Sequence, residues 1–163
     1  MVVVLGIDPG TANTGFGVVL ARAGSLAALD GGVIDTEANM PLERRLARIH
    51  DGVCALIEEH APEALAVEDL YFGQNARSAF AVGQARGVVL LAAGQAGIPS
   101  FSYTPQAVKQ AVCGAGNAAK DQVQRMVGAL LRLPEPPHPD HAADALAVAI
   151  CHANGANLKA ALA

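Results

Sequence analysis

Cysteine is scarce in this chain. The three present, Cys54, Cys113 and Cys151, are far apart and odd in number. They make neither a zinc-binding pair nor a disulfide framework, and they fit buried thiols in a reducing cytoplasm. Charge is sparse too. Charged residues make up 16% of the chain and hydrophobic ones 52%, which excludes disorder over most of it. No apolar run is long enough to span a bilayer. The apolar start, Met1 to Ile7, lacks the leading positive charge of a signal peptide and stops at Asp8-Pro9-Gly10. It reads as a buried strand and a turn. These features describe a cytoplasmic protein of 163 residues, a length that suits one domain with a real core.

Net positive charge is also missing: the total is −4. Its distribution is uneven. Residues 77–132 hold Arg77, Arg86, Lys109, Lys120, Arg125 and Arg132 against one acid, Asp121, a local charge of +5. The remainder has five basic residues against fourteen acids, or −9. Such a basic segment suits phosphate binding, although arginines on ordinary helix surfaces give the same count.

The pattern along the chain predicts an α/β layered fold. Val2 to Asp8 and Gly15 to Leu20 read as strands, and a third lies within Leu26 to Thr36, together an antiparallel meander. Leu42, Leu46, Ile49, Val53 and Ile57 share one helical face. Ala64 to Glu68 is a short buried strand, and Tyr71 to Asn75 a loop. Ala76 to about Gln95 is helical but broken by Gly83 and Gly87. Ile98 to Tyr103 is the last strand, and Thr104-Pro105 opens a helix. Val123, Met126, Val127, Leu130 and Leu131 mark another helix, and the final one runs from about Asp140 to His152. The expected order is β-β-β-α-β-α-β-α-α, with residues 1–154 as a single domain and 155–163 as a short flexible tail.

Four residues stand out chemically. Asp8 and Glu68 each end a buried strand, where a carboxylate is costly unless paired or bound to metal. If those strands are parallel neighbours, both carboxylates emerge at one sheet edge. His141 and Asp144 are three apart and share a helix face, as do Asp140 and Asp144. Converging carboxylates make a hard oxygen cage for Mg²⁺ or Mn²⁺, and a pair of such ions can hydrolyse a phosphodiester. Plainer readings exist. Asp8 before Pro9-Gly10 fits a turn, Glu68-Asp69 a solvated strand end, Asp140 an N-cap and His141 a surface residue.

Taken in order, six blocks resemble the RuvC family of Holliday-junction resolvases. They are Gly6-Ile7-Asp8-Pro9-Gly10 with Thr14-Gly15-Phe16-Gly17-Val18, then Val67-Glu68, Gly83-Gln84-Ala85-Arg86-Gly87-Val88, Val108-Lys109-Gln110, Lys120-Asp121-Gln122-Val123-Gln124, and Asp140-His141-Ala142-Ala143-Asp144-Ala145-Leu146-Ala147. The match spans about Val3 to His152. The resemblance implies a ribonuclease-H-like fold, a five-stranded mixed sheet flanked by helices. It implies a homodimeric nuclease with two Mg²⁺ or Mn²⁺ ions per site, cutting four-way junctions to leave 5′-phosphate and 3′-hydroxyl ends, beside a RuvA–RuvB motor. Asp8, Glu68 and Asp144 match the family's acids. His141 stands where the family usually has aspartate, so Asp140 remains an alternative fourth ligand. Lys109 and Lys120 match basic residues near the cut phosphate. Tyr71, or Phe72 beside it, matches an aromatic placed to stack on a base, and Arg77 joins the expected DNA-binding set.

Two rivals share parts of this pattern. Actin-like and sugar-kinase-like ATPases open with a similar Gly-Ile-Asp-x-Gly-Thr segment but need two such domains. A junction-binding protein without catalysis should have lost one or more of the acids, whereas Asp8, Glu68 and Asp144 are all here.

Overall fold

The computed structural model describes the backbone of residues 1–69 and 75–162, and side chains through residue 156. Tyr71 and Phe72 lie outside the described residues. A five-stranded sheet in the order β3-β2-β1-β4-β5 carries the fold. Strands β1 (Val2–Asp8), β2 (Asn13–Arg22) and β3 (Ser25–Asp35) form the expected antiparallel meander. Strands β4 (Ala64–Glu68) and β5 (Ser100–Tyr103) add in parallel beside β1, so β1 is central. The expected parallel pairing of β1 with β4 is therefore present, with Ile7 opposite Val67.

Helix α1 (Leu42–His60) follows β3, and α2 (Ala76–Gln95) links β4 to β5. The expected break at Gly83 and Gly87 does not occur: α2 is continuous, because its many alanines offset two glycines. Three helices then follow β5, one for each of the three helical segments read from the sequence, although the condensed order counts only two: α3 (Pro105–Cys113), α4 (Lys120–Leu130) and α5 (Asp140–Leu162). Thr104 caps α3 as its sequence suggests, its hydroxyl accepting from the Ala107 N–H at 3.1 Å. Gly114, at φ 76°, ends α3 in a left-handed turn that separates it from α4. Helix α5 also runs past its expected end at His152, so the supposed tail is helical through Leu162. The segment is alanine-rich and free of proline, and the lone Gly155 is too weak a breaker to stop it.

Strand alternation divides the core in two. Leu5, Ile7, Leu65 and Val67 face α1 and α2, packing with Ile49, Val53, Ala85 and Val89. Val4 and Ala66 face the other way and pack with Leu146, Val148 and Ile150 of α5 and with residues of α3 and α4. Asp8 and Glu68 have the parity of Val4 and Ala66. Both therefore point toward α5.

Candidate metal centre

Helix α5 lies unusually close to the sheet, and two glycines permit it. A β-carbon on Gly6 would collide with the Ala145 carbonyl oxygen, and one on Gly15 with that of His141. Gly15 is the register partner of Asp8. Removing a side chain there seats the first turn of α5 directly over the end of β1. The small residues Ala142, Ala143, Ala145 and Ala149 complete that close contact and are all buried. On the turn after β1, the buried Thr14 hydroxyl donates to the Gly10 carbonyl at 2.7 Å, which fixes the chain just beyond Asp8.

The result is a convergence of ionisable groups. His141 Nδ1 lies 3.0 Å from Asp8 Oδ2. Ligand atoms of Asp8, His141 and Asp144 all lie within 4.8 Å of one another. Glu68 stands outside this trio, yet close enough to feel the charges of Asp8 and Asp144. It shares with Asp144 the wall of a cavity of about 210 Å³ that also includes Lys109 and Lys120. Pro105, Val108, Val123 and Ala147 give that cavity an apolar lining. Lys120 reaches across, its Nζ 3.7 Å from Asp144 and 3.3 Å from Asp140.

The electrostatics of this group are unfavourable as they stand. Burial, then the charges of Asp8 and Asp144, push the Glu68 carboxyl up to about 7. Burial also raises Asp8, although the hydrogen bond and charge of His141 and the charge of Lys120 oppose it. Burial and Asp8 raise Asp144, partly offset by Lys120 and His141. Burial alone would lower Lys120, but Asp144 and Asp140 outweigh it, so its ammonium is held more firmly. Three crowded carboxylates that resist ionisation together suit a divalent cation, which relieves both the burial cost and the repulsion. Three oxygen donors and one imidazole match Mg²⁺ or Mn²⁺ in chemistry.

Other residues expected at the site divide clearly. Asp140 does not join the trio and instead faces Lys120 and, at 3.5 Å, Gln124. Lys109 and Lys120 both reach the cavity. Arg77 sits at the exposed start of α2, where its backbone N–H donates to the Asn75 side chain. Sequence reasoning missed Arg86, Asp69 and Ser102, which join on the opposite sheet face. It also missed the tie between the Tyr103 hydroxyl and His152 Nδ1, 2.6 Å apart, which fastens β5 to α5. Arg86 belongs to the Gly83-Gln84-Ala85-Arg86-Gly87-Val88 motif, but nothing in its spacing announces partners 16 and 17 positions away.

Comparison with known proteins agrees with this arrangement. Residues 4–152 match the family described as crossover junction endodeoxyribonuclease RuvC. The RuvC of Moorella thermoacetica is 58% identical over 151 residues, 93% of this chain and 90% of that protein. The RuvC of Chloroflexus aggregans is 55% identical over 149 residues, 91% of each chain. The structure of Thermus thermophilus RuvC in complex with a Holliday junction substrate superposes with a TM-score of 0.93 at 43% identity, covering 98% of this chain and 97% of that one. With this agreement in sequence and in fold, the chain belongs to the crossover junction endodeoxyribonuclease RuvC family.

Proposed function

We propose that this chain is a structure-specific endonuclease that cuts four-way DNA junctions with two divalent cations held by Asp8, Glu68, His141 and Asp144. The observation that carries the proposal is the meeting of Asp8, His141 and Asp144 at the carboxyl edge of the sheet, with Glu68 beside them. Asp8, in contact with His141 and near enough to Glu68 to raise its pKa, would be shared between the ions, with Glu68, His141 and Asp144 completing the ligand set. The bound cations, Mg²⁺ or Mn²⁺, supply activation of water and neutralisation of charge at the phosphate.

The chain's own residues do the rest. Lys120 and Lys109 stand in the cavity wall, where a phosphate oxygen gaining charge would meet an ammonium. Pro105, Val108, Val123 and Ala147 line the same cavity with apolar surface. His141 keeps Asp8 in place through its Nδ1 contact. Hydrolysis that releases the 3′-oxygen leaves 5′-phosphate and 3′-hydroxyl ends. Arg77, Tyr71 and Phe72 are proposed to contact the DNA around the crossover.

A homodimer is part of the same reading, since two equivalent strands are to be cut. Its support is the outer face of α2, where Phe80, Gly87 and Leu91 recur at helical spacing and are exposed, Phe80 by 69% and Leu91 by 53%. A cytoplasmic location rests on the scarce, unpaired cysteines, and action beside RuvA–RuvB on the family resemblance alone. Among the described residues, no helix is long and apolar enough to cross a membrane.

The decisive experiment is incubation of the protein with a synthetic four-way junction and Mn²⁺, with a linear duplex of the same sequence as control. Paired nicks in opposite strands, sealable by ligase and confined to the junction, are the expected result. An intact junction, or equal cutting of the duplex, overturns the proposal.

A further inference from the structure

We infer that Arg86 is a positioning residue that fixes Glu68 from the back of the sheet. The parity of β4 sets the geometry. Glu68 points toward α5 and the cavity, whereas Val67 faces α2. Ser102 is the register partner of Val67, and Asp69 follows Glu68 directly. Arg86, on α2, spans these two. Its Nη2 donates to Ser102 Oγ at 2.5 Å and to Asp69 Oδ1 at 3.4 Å. The Asp69 N–H in turn donates to the Tyr103 carbonyl at 2.8 Å, extending the β4–β5 ladder one step past Glu68.

One guanidinium thus ties together the ends of two strands and a helix. The tie sits one residue from Glu68 but never touches it. Its Nε is buried without a hydrogen-bond partner, so the side chain is held in place at a cost. Packing alone gives no reason for a cation here, since neighbouring Ala85 and Val89 already fill the α2 side of the core. A cation that bridges the chain on either side of a strand end does have an effect. It stops Glu68 from pivoting when the repulsion of Asp8 and Asp144 pushes on it. The inference rests on the reading of Glu68 as a cation ligand.

The test compares Arg86→Ala, Arg86→Lys, Asp69→Ala and the double variant Arg86→Ala/Asp69→Ala with wild type and Glu68→Gln. Single-turnover cleavage of a junction is measured across a Mn²⁺ titration, alongside junction affinity without metal. We expect Arg86→Ala to cleave about 10–100-fold more slowly and to need more Mn²⁺ for half its maximal rate, the scale on which ligand-supporting partners act. Junction affinity should stay within about twofold, well short of the steep loss that follows removal of a phosphate contact. Asp69→Ala should show the same change, and the double variant should be no worse than either single one. Arg86→Lys, with charge but no fork, should recover only part of the rate, and it keeps the test usable if Arg86→Ala does not fold. An inactive Glu68→Gln beside variants of Arg86 and Asp69 with unchanged Mn²⁺ dependence would overturn the inference alone. Loss of junction affinity in Arg86→Ala would overturn it too, by making Arg86 a DNA contact. A fully active Glu68→Gln would instead bring down the reading of the site.

Discussion

Among the described residues, two clusters combine a histidine with two carboxylates in different surroundings. Besides Asp8, His141 and Asp144, ligand atoms of Asp30, Glu59 and His60 also lie within 4.8 Å of one another. In that second group His60 Nε2 is 3.0 Å from Asp30 Oδ2, and the other Asp30 oxygen accepts from the Gly31 N–H. Glu59 is mostly exposed, its side chain 70% open to solvent. The group joins β3 to the end of α1, and its members satisfy one another or water. The first group sits at a sheet edge with a third carboxylate nearby; burial raises Asp8, Glu68 and Asp144, and repulsion between acids adds to it for Glu68 and Asp144. Residue types alone do not make a cation site. Unrelieved charge in a partly dry place with an adjoining cavity does.

Substitution should separate the two groups most sharply. Asp8→Asn, Glu68→Gln and Asp144→Asn are each expected to slow junction cleavage by more than the roughly 10–100-fold typical of outer-shell partners. Junction binding should persist, because it draws on basic side chains. Asp30→Asn and His60→Gln should leave cleavage unchanged within about twofold and cost about 1–3 kcal/mol of stability, as loss of a partly buried hydrogen bond to a charged group does. Gel shift and cleavage on one junction would show both, and wild-type cleavage by Asp8→Asn would erase the distinction.

The pH dependence of the metal-free protein should be nearly as telling. Glu68 is held at about 7 in the fold against 4.5 ordinarily. Below 4.5 it is protonated in both states and has no effect. Between those values the unfolded chain ionises while the folded one keeps the proton, so stability falls as pH rises through that window. Asp8 and Asp144 act in the same direction. Thermal melts should show this decline, Glu68→Gln should flatten it, and saturating Mn²⁺ should reverse it. A metal-free melting temperature that climbs from pH 5 to 7.5 would contradict the raised carboxyls.

His141 offers a finer test. Imidazole favours Mn²⁺ over the harder Mg²⁺, so His141→Asp should stay active and narrow the gap between the two metals. Asp140→Asn should change that ratio little, because Asp140 faces Lys120. Cleavage rates in each metal would decide, and an inactive Asp140→Asn with an unchanged ratio in His141→Asp would exchange the two residues. The smallest effects belong to the basic segment. Lys109→Ala and Lys120→Ala should each lower the salt sensitivity of junction affinity by about one unit of log–log slope per lost phosphate contact. Identical slopes for wild type and both variants would place the DNA elsewhere.

Much of this was legible beforehand. A strand ending in a carboxylate is readable from a short, bounded apolar run, so Asp8 and Glu68 are visible as a pair. Helical spacing put His141 and Asp144 on one face. The paired strands and the cap of α3 follow from local chemistry and appear as expected; the face of α1 does so from Leu46 to Ile57, whereas Leu42 is exposed and Leu56 joins the buried residues. Gly6 and Gly15 were seen only as parts of a motif, because a close approach shows in a sequence as nothing more than a missing side chain. The Arg86 tie was invisible for another reason. It depends on strand parity and on where α2 crosses the sheet, neither of which is local.

Sequence by itself determined the element types, the strand-end acids and the stock of donors, since propensity and periodicity act over a few residues. It left Asp140 open as the alternative to His141. Consecutive helical residues point about a quarter-turn apart, and no pattern says which will face the sheet. Only the seating of α5 decided that. With Gly15 opposite Asp8, the first turn of the helix comes down over the end of β1, turning His141 toward Asp8 and leaving Asp140 to Lys120.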